Sequence, residues 1–339
     1  MDRAHPARPT EGRLPRVGFL GVGWIGRHRM EAIVDTGAVE VVAVADPSPE
    51  CVEEALKLAP DAQVAADLDG LLTFGLDGVV IATPSAQHAA QSIQALNAGV
   101  AVFCQKPLGR SAAEVAAVID AARAADRLLA VDLSYRFTAG MTRIRELIRA
   151  GELGPVFAAD LVFHNAYGPG KPWFFDRAQS GGGCVVDLGV HLVDLALWAL
   201  DFPEVTAVTS HLYSGGERLP PAPEPVEDYA SATLELATGA VVRLACSWNL
   251  HAGQGADISA AFQGRSAGVA LRNVDGSFYD FTATRHRGAD RETLTEGPEP
   301  WGGRAAADWA VRLAAGETFS AEADRLLDSA RVLDCIYGG

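Results

Sequence analysis

Lysine is nearly missing from this sequence. Lys57, Lys106 and Lys171 are the only lysines among 28 basic residues in a chain of 339. Arginine does not release a proton at working pH whereas a buried lysine can, so each retained lysine asks for a reason. Cysteine is sparse too: Cys51, Cys104, Cys184, Cys246 and Cys335 are scattered, with no Cys-x-x-Cys pair. That pattern spells no structural zinc site, and no metal is expected. With no export signal in view, it predicts free thiols in a reducing cytoplasm. No apolar stretch reaches about 18 residues without a charge, so no membrane span is expected. Positive charge is short, with 28 Lys and Arg against 43 Asp and Glu. The net charge of −15 disfavours nucleic acid and anionic membrane surfaces as partners. Repeats and low-complexity runs are absent. The opening "MDRAHPARPTEGRLP" has no apolar core of its own, so residues 1–15 read as a flexible tail.

What is present is an ordinary globular balance, 49% hydrophobic and 21% charged, in a chain long enough for two domains. From Arg16, apolar runs ("RVGFLG", "VEVVAVAD", "DGVVIATP", "VAVFCQKP", "RLLAVDL") alternate with amphipathic stretches of ten or more residues. That rhythm predicts a parallel α/β sheet covered on both faces, a Rossmann domain over residues 16–136. Its first turn is Gly21-Val-Gly23-Trp24-Ile25-Gly26, and Asp46 follows twenty residues later at a strand end. A strand before the glycines, a helix after them and an acid at this distance are the context of a dinucleotide fingerprint. Asp46 suits the adenosine ribose hydroxyls, and "PSPECVEEALK" after it has no Arg for a 2′-phosphate, so NAD is expected over NADP.

Ligands of such sheets lie beyond the strands' carboxyl ends. "ATP" (Ala82, Thr83, Pro84) leading to His88, "CQKPLG" with Gln105 and Lys106, and "DLSYRF" end strands there. Further on, "SGGGCVVDLGVHLVDLALWAL" reads as a core helix interrupted by Asp187, His191 and Asp194. Spacings of four and three put all three on one helical face, the imidazole between two carboxylates. Two readings stay open at this point: a core histidine held by a neighbouring acid, or a general acid/base in its setting.

Five features resemble the glucose–fructose oxidoreductase / inositol dehydrogenase / MocA family: "GVGWIGRH", "ATPSAQH", the Lys-Pro of "CQKPLG", "YRF", and "GGGCVVDLGVHLVD". The resemblance runs on to "VEDYASATLEL" and "SW" near Trp248. It implies a second domain, residues 137–339, built on a large open, mainly antiparallel sheet that joins protomers into a homodimer or homotetramer. It implies Lys106, Asp187 and His191 as the catalytic trio, with Asp194 a structural partner of the helix. The expected cofactor contacts are Gly21, Gly23, Trp24, Ile25, Gly26, Asp46, Ala82, Thr83, Pro84, His88, Gln105 and Lys106. One position departs from the family, whose usual Glu-Lys-Pro is Gln105-Lys106-Pro107 here. Gln still bonds a ribose hydroxyl but brings no charge.

After Gly151, strand-like segments joined by Gly-containing turns support an antiparallel sheet, and two helices close the chain. A sugar or polyol needs many hydrogen-bonding groups and a stacking face. The candidates are Tyr135, Arg136, His164, Asn165, Trp173 and Arg177, with His251 behind them and the 166–180 loop as a cover. The expected activity is hydride transfer between NAD and a secondary alcohol or ketone of a sugar, inositol or related polyol. The alternatives are an NAD-using glycosidase and a non-catalytic NAD sensor.

Overall fold

The short apolar runs of the first half become strands with almost every residue buried. They are β1 (Arg16–Leu20), β2 (Glu40–Ala45), β4 (Gly78–Ile81) and β5 (Ala101–Cys104), joined by the exposed two-residue β3 (Gln63–Val64) and the partly buried β6 (Leu129–Val131) at the two edges. All pair in parallel in the order β3-β2-β1-β4-β5-β6, so the order reverses direction between β1 and β4. Helices α1 (Trp24–Val34), α2 (Pro49–Leu56), α3 (Leu68–Leu72), α4 (Ser85–Asn97) and α5 (Ala112–Ala125) connect them. This is the expected doubly wound sheet, and the β1/β4 switch is where such sheets take ligands.

This computed structural model describes residues 12–221 and 223–338. Most of the expected 1–15 tail lies outside the described residues. Its last part is already tied to the sheet: Arg13 pairs with Asp77 at 2.9 Å, and the Pro15 carbonyl accepts from the Glu40 N–H at 2.8 Å.

The second sheet has nine strands: β7 (Val156–Asn165), β8 (Val205–Ser214), β9 (Glu217–Arg218), β10 (Tyr229–Leu236), β11 (Val241–Ser247), β12 (Ala256–Gly264), β13 (Gly268–Asn273), β14 (Phe281–Arg287) and β15 (Asp290–Thr295). Their order is β15-β14-β13-β12-β7-β11-β10-β8-β9, antiparallel throughout except for the central β7/β11 pair. Burial alternates along β10, β11 and β12, as a sheet covered on one face requires. The covered face packs under α6 (Ala139–Arg149), α8 (Val190–Ala199) and the C-terminal α10 (Arg325–Ile336), with a short helix α7 (Arg177–Ser180) before α8. The helical run Arg177–Ala199 is long and apolar enough to cross a membrane, but 89% of its most apolar window is buried in this core.

The division of the chain differs from the one expected. One compact unit holds the chain to Gly109, Ala113–Asp132 and Gly303–Asp324; the other holds Arg110–Ala112, Leu133–Gly302 and Arg325 onward. Helix α9 (Arg304–Ala314), expected within the second domain, thus belongs to the Rossmann unit. Its Trp309 is fully buried against Phe103, with ring centroids 5.9 Å apart. A Cβ at Gly78 would come within 2.7 Å of Trp309 and Leu313, so the glycine makes the groove that accepts this face.

Candidate functional site

The glycine loop is built by close approach. Gly21 has φ +86°, and a Cβ there would lie 2.6 Å from the Ala82 carbonyl oxygen. A Cβ at Gly26 would collide with the Gly21 carbonyl oxygen at 2.1 Å, which welds strand, turn and helix together. At Gly23 a Cβ would meet nothing within 4 Å. Gly23 also caps α1 without a side-chain bond, and the first turn carries no acid. The helix therefore offers bare N–H groups and its positive end beside open space, the cradle a pyrophosphate needs. Trp24 is exposed and stacks on His28, and Ile25 is half-buried. Asp46 accepts from the Val22 N–H at 2.8 Å and the Ser48 N–H at 2.9 Å, so its carboxylate is fixed against the loop. These residues fit NAD.

At the β4 end, Thr83 Oγ1 donates to Gln91 Oε1 at 2.6 Å and Pro84 caps α4. His88 corrects the direct cofactor contact expected of it. It is buried, with Nε2 2.7 Å from the Thr83 carbonyl oxygen and Nδ1 2.7 Å from that of Pro107. Both ring nitrogens face backbone carbonyls of the β4 and β5 loops, and the neutral ring donates to one of them. Burial holds its pKa below the ordinary value, against the pull of the two carbonyls. Gln105 is buried with its amide nitrogen on Asp132 Oδ2, which also takes Arg29 Nε at 2.6 Å. Lys106 follows, half-buried, before a cis Pro107.

In the sheet unit the three glycines bring the chain in tightly. A Cβ at Gly182 would strike the Tyr337 hydroxyl at 2.0 Å, and one at Gly183 the Glu227 carbonyl oxygen at 1.9 Å. Glu227 is fully buried, and its Oε1 accepts from the Gly183 N–H, the Val185 N–H and the Tyr337 hydroxyl at 2.9, 2.9 and 2.8 Å. Burial raises the pKa of both Glu227 and Tyr337. The turn so gripped, Val185–Gly189, is π-helical before α8 begins, a wider turn that often marks functional sites.

The expected stripe is therefore broken. Asp187 sits in the π turn and accepts from Trp248 Nε1 at 3.1 Å. Asp194 turns to Arg136, whose Nε lies 2.7 Å from Oδ2 while Nη2 donates to the other oxygen. Burial pushes the Asp194 pKa up, and Arg136 opposes it. His191 is buried, edge-on to Tyr135 at 4.9 Å.

Two substrate candidates are thereby corrected. Arg136 is held by Asp194 and lies over the Trp198 and Phe202 rings, so it braces the helix. Tyr135 is buried among Phe163, His191, Phe281 and Trp301, a packing residue that shapes the histidine's wall. His164 is half-buried, with Nδ1 2.7 Å from Ser247 Oγ, and burial lowers its pKa. The adjacent Asn165 has a buried Oδ1 without a hydrogen-bond partner among the described residues. Trp173 stacks on Phe174, Arg177 lies over the Tyr337 ring, and His251 is exposed. Sequence reasoning did not single out Glu227, Trp248, Arg29 or Asp132, although the first two stand in the "VEDYASATLEL" and "SW" segments.

The glycine cradle at the switch point, joined in one chain to a large open sheet, defines a dinucleotide-binding oxidoreductase. Residues 15–133 match the oxidoreductase family with an NAD-binding Rossmann fold, and residues 141–269 match the GFO/IDH/MocA C-terminal domain. The chain belongs to the GFO/IDH/MocA family. It is 31% identical over 265 residues to an inositol 2-dehydrogenase of Acidothermus cellulolyticus, spanning 76% of this chain and 73% of that one. A D-glucoside 3-dehydrogenase of Escherichia coli is 28% identical over 268 residues, 76% of each chain. GenD2 from gentamicin A biosynthesis, solved with NAD, shares the fold at TM-score 0.81 and 24% identity, over 98% of this chain and 96% of its own. Levoglucosan dehydrogenase, solved with NADH and levoglucosan, does so at 0.82 and 21%, over 96% of each.

Proposed function

We propose that this chain is an NAD-dependent dehydrogenase acting on a secondary alcohol of a sugar, inositol or related polyol. The observation that carries this is the His191 setting: a buried imidazole one turn from an acid that Trp248 holds in place, in a family of NAD-binding oxidoreductases. NAD, when bound, supplies the hydride acceptor, or the donor in the reverse direction. The chain supplies the rest. Lys106 hydrogen-bonds the substrate oxygen and stabilises its developing negative charge. His191 takes the hydroxyl proton, the general-base role for which an imidazole is suited. Asp187, held by Trp248, orients His191 one turn on. Asn165 Oδ1, a buried acceptor with no donor among the described residues, suits a sugar hydroxyl, and a neutral His164 and the Trp173 ring complete the polyol's surroundings. All five cysteines carry free thiols, which favours a cytoplasmic setting.

The experiment is an initial-rate screen of polyols, aldoses and glycosides with NAD and NADP. Substrate-dependent NADH formation, faster with NAD, is the expected result. Glycoside cleavage without net NADH would replace the proposal by a glycosidase, and inertness across the panel would favour a sensor. Asp46→Ala should narrow the gap between the two cofactors, because it removes the charge facing a 2′-phosphate; an unchanged gap removes Asp46 from the site.

A further inference from the structure

We propose that Asp132 is a positioning residue of the cofactor site: with Arg29 it locks the Gln105 amide so that the carbonyl oxygen is presented as a fixed acceptor, and it makes Gln, rather than Glu, the residue required at 105. The inference rests on the reading of Gln105 as a cofactor residue.

Three elements converge here. Arg29 comes from α1, Gln105 follows β5, and Asp132 follows β6. The backbone fixes the two strand ends, since the Gln105 N–H donates to Ile81 O at 2.8 Å and the Asp132 N–H to Cys104 O at 2.9 Å. All three side chains are buried, Arg29 7%, Gln105 6% and Asp132 1% exposed. Arg29 Nε and the Gln105 amide nitrogen both donate to Asp132 Oδ2. A carboxylate oxygen only accepts, so the amide must face it nitrogen first. A flipped amide would set two acceptors against each other out of water, and the orientation is therefore dictated by charge.

The same geometry decides the residue type. A glutamate side chain at this position would put a second carboxyl against Asp132 with one guanidinium between them. Two such groups cannot both ionise without repulsion, so one would hold a proton to a higher pH than usual. Protonated, the introduced carboxyl would imitate the amide by donating to Asp132. Ionised, it would push away.

The charged and titratable groups near the pair include Arg29 and His28 from α1, with Glu31 of the same helix acting on His28, Cys104 and Lys106 beside residue 105, and Asp132 itself. Burial pushes the Cys104 thiol up to about 12, and burial with Arg29 holds His28 below its ordinary value. Cys104 thus stays neutral from pH 6 to 9, and His28 and Lys106 are common to every variant.

The test is NADH affinity, read by fluorescence titration between pH 6 and 9, alongside melting temperature without cofactor. Gln105→Glu should bind like wild type at pH 6 and weaken at least about tenfold by pH 9, the effect of one pKa unit of differential interaction. Its melting temperature should fall over the same range relative to wild type. Gln105→Glu combined with Asp132→Asn restores one carboxylate per guanidinium and should recover wild-type affinity to within about threefold at every pH, the scatter expected of a local rearrangement. Gln105→Glu binding as wild type at pH 9, or a double variant as weak as the single one, overturns the proposal. Gln105→Ala separates the underlying reading: weakened binding supports residue 105 as a cofactor group. Unchanged binding removes residue 105 from the cofactor site and takes the proposal with it.

Discussion

Lys106 stands between two restrained neighbours: Gln105, tied to Asp132, and Pro107, whose carbonyl meets the buried His88. A flexible ammonium on a rigid corner places its donor consistently. Arg in its place keeps the charge, but its planar fork does not put a donor at the same point and does not give up a proton. Lys106→Arg should therefore keep the melting temperature and NADH affinity while lowering turnover at least about a hundredfold, the low end of acid–base contributions. Wild-type turnover, with a substrate in hand, would return the lysine to the surface charges. Lys106 stands out in the sequence because lysine is so rare here. Its supports do not: the partner of Gln105 lies 27 residues on, and only the β5/β6 pairing brings it near. His88 misled for a related reason. A histidine after "ATP" reads as a ligand group until both ring nitrogens are found on backbone carbonyls.

The segment bearing Asp187 and His191 was legible as a helix from its glycines and apolar run, but not as a π turn running into an α-helix. The cause lies outside the segment. Glu227, 44 and 42 residues beyond Gly183 and Val185, takes both of their N–H groups on one oxygen and ties them to Tyr337 near the end of α10. Helix N-terminal donors favour the anion, whereas burial favours the acid, and burial is the larger influence on Glu227. With the folded pKa raised, the carboxyl's stabilising contribution is complete below the unfolded pKa and is lost as pH rises through the folded one. Glu227→Gln keeps an acceptor for the three donors and escapes that loss. Its stability relative to wild type should therefore rise with pH from about 4.5, by at most about 1.4 kcal/mol per pH unit within the window. Urea unfolding at pH 5 and 7.5 measures the difference. A wild-type advantage that grows with pH would mean that the helix end holds the anion.

For the whole molecule, both sheets were legible from periodicity because each strand's pattern depends on its own burial. The return of α9 to the Rossmann unit was not, because a groove at Gly78 is a property of the folded sheet. The face of the second sheet opposite α6, α8 and α10 carries small or short side chains from β7 across β11 and β10 to β8, among them Val162, Ala245, Ser231, Thr233 and Thr209. Nine strands at about 4.8 Å spacing make this face close to 40 Å wide. The charge pair there, Arg243 with Asp160 at 2.6 Å, is already neutralised within the face. A broad surface with so little net charge along these strands suits packing against a second sheet about 10 Å away. We predict a dimer or tetramer built through it. Sedimentation at about 10 μM, well above the dissociation constant of a standard-sized stable interface, should show a species larger than the 35.6 kDa protomer. Thr209→Arg adds an unpaired charge to that face on β8, toward one edge of the sheet and one strand beyond Thr233, which itself pairs across to Arg243. Bringing such charges together across a sheet-to-sheet contact is unfavourable without counter-ions, so the variant should shift toward the protomer while NADH binding, a property of the other unit, stays as in wild type. A wild-type monomer, or an assembly indifferent to Thr209→Arg, would assign the face to solvent.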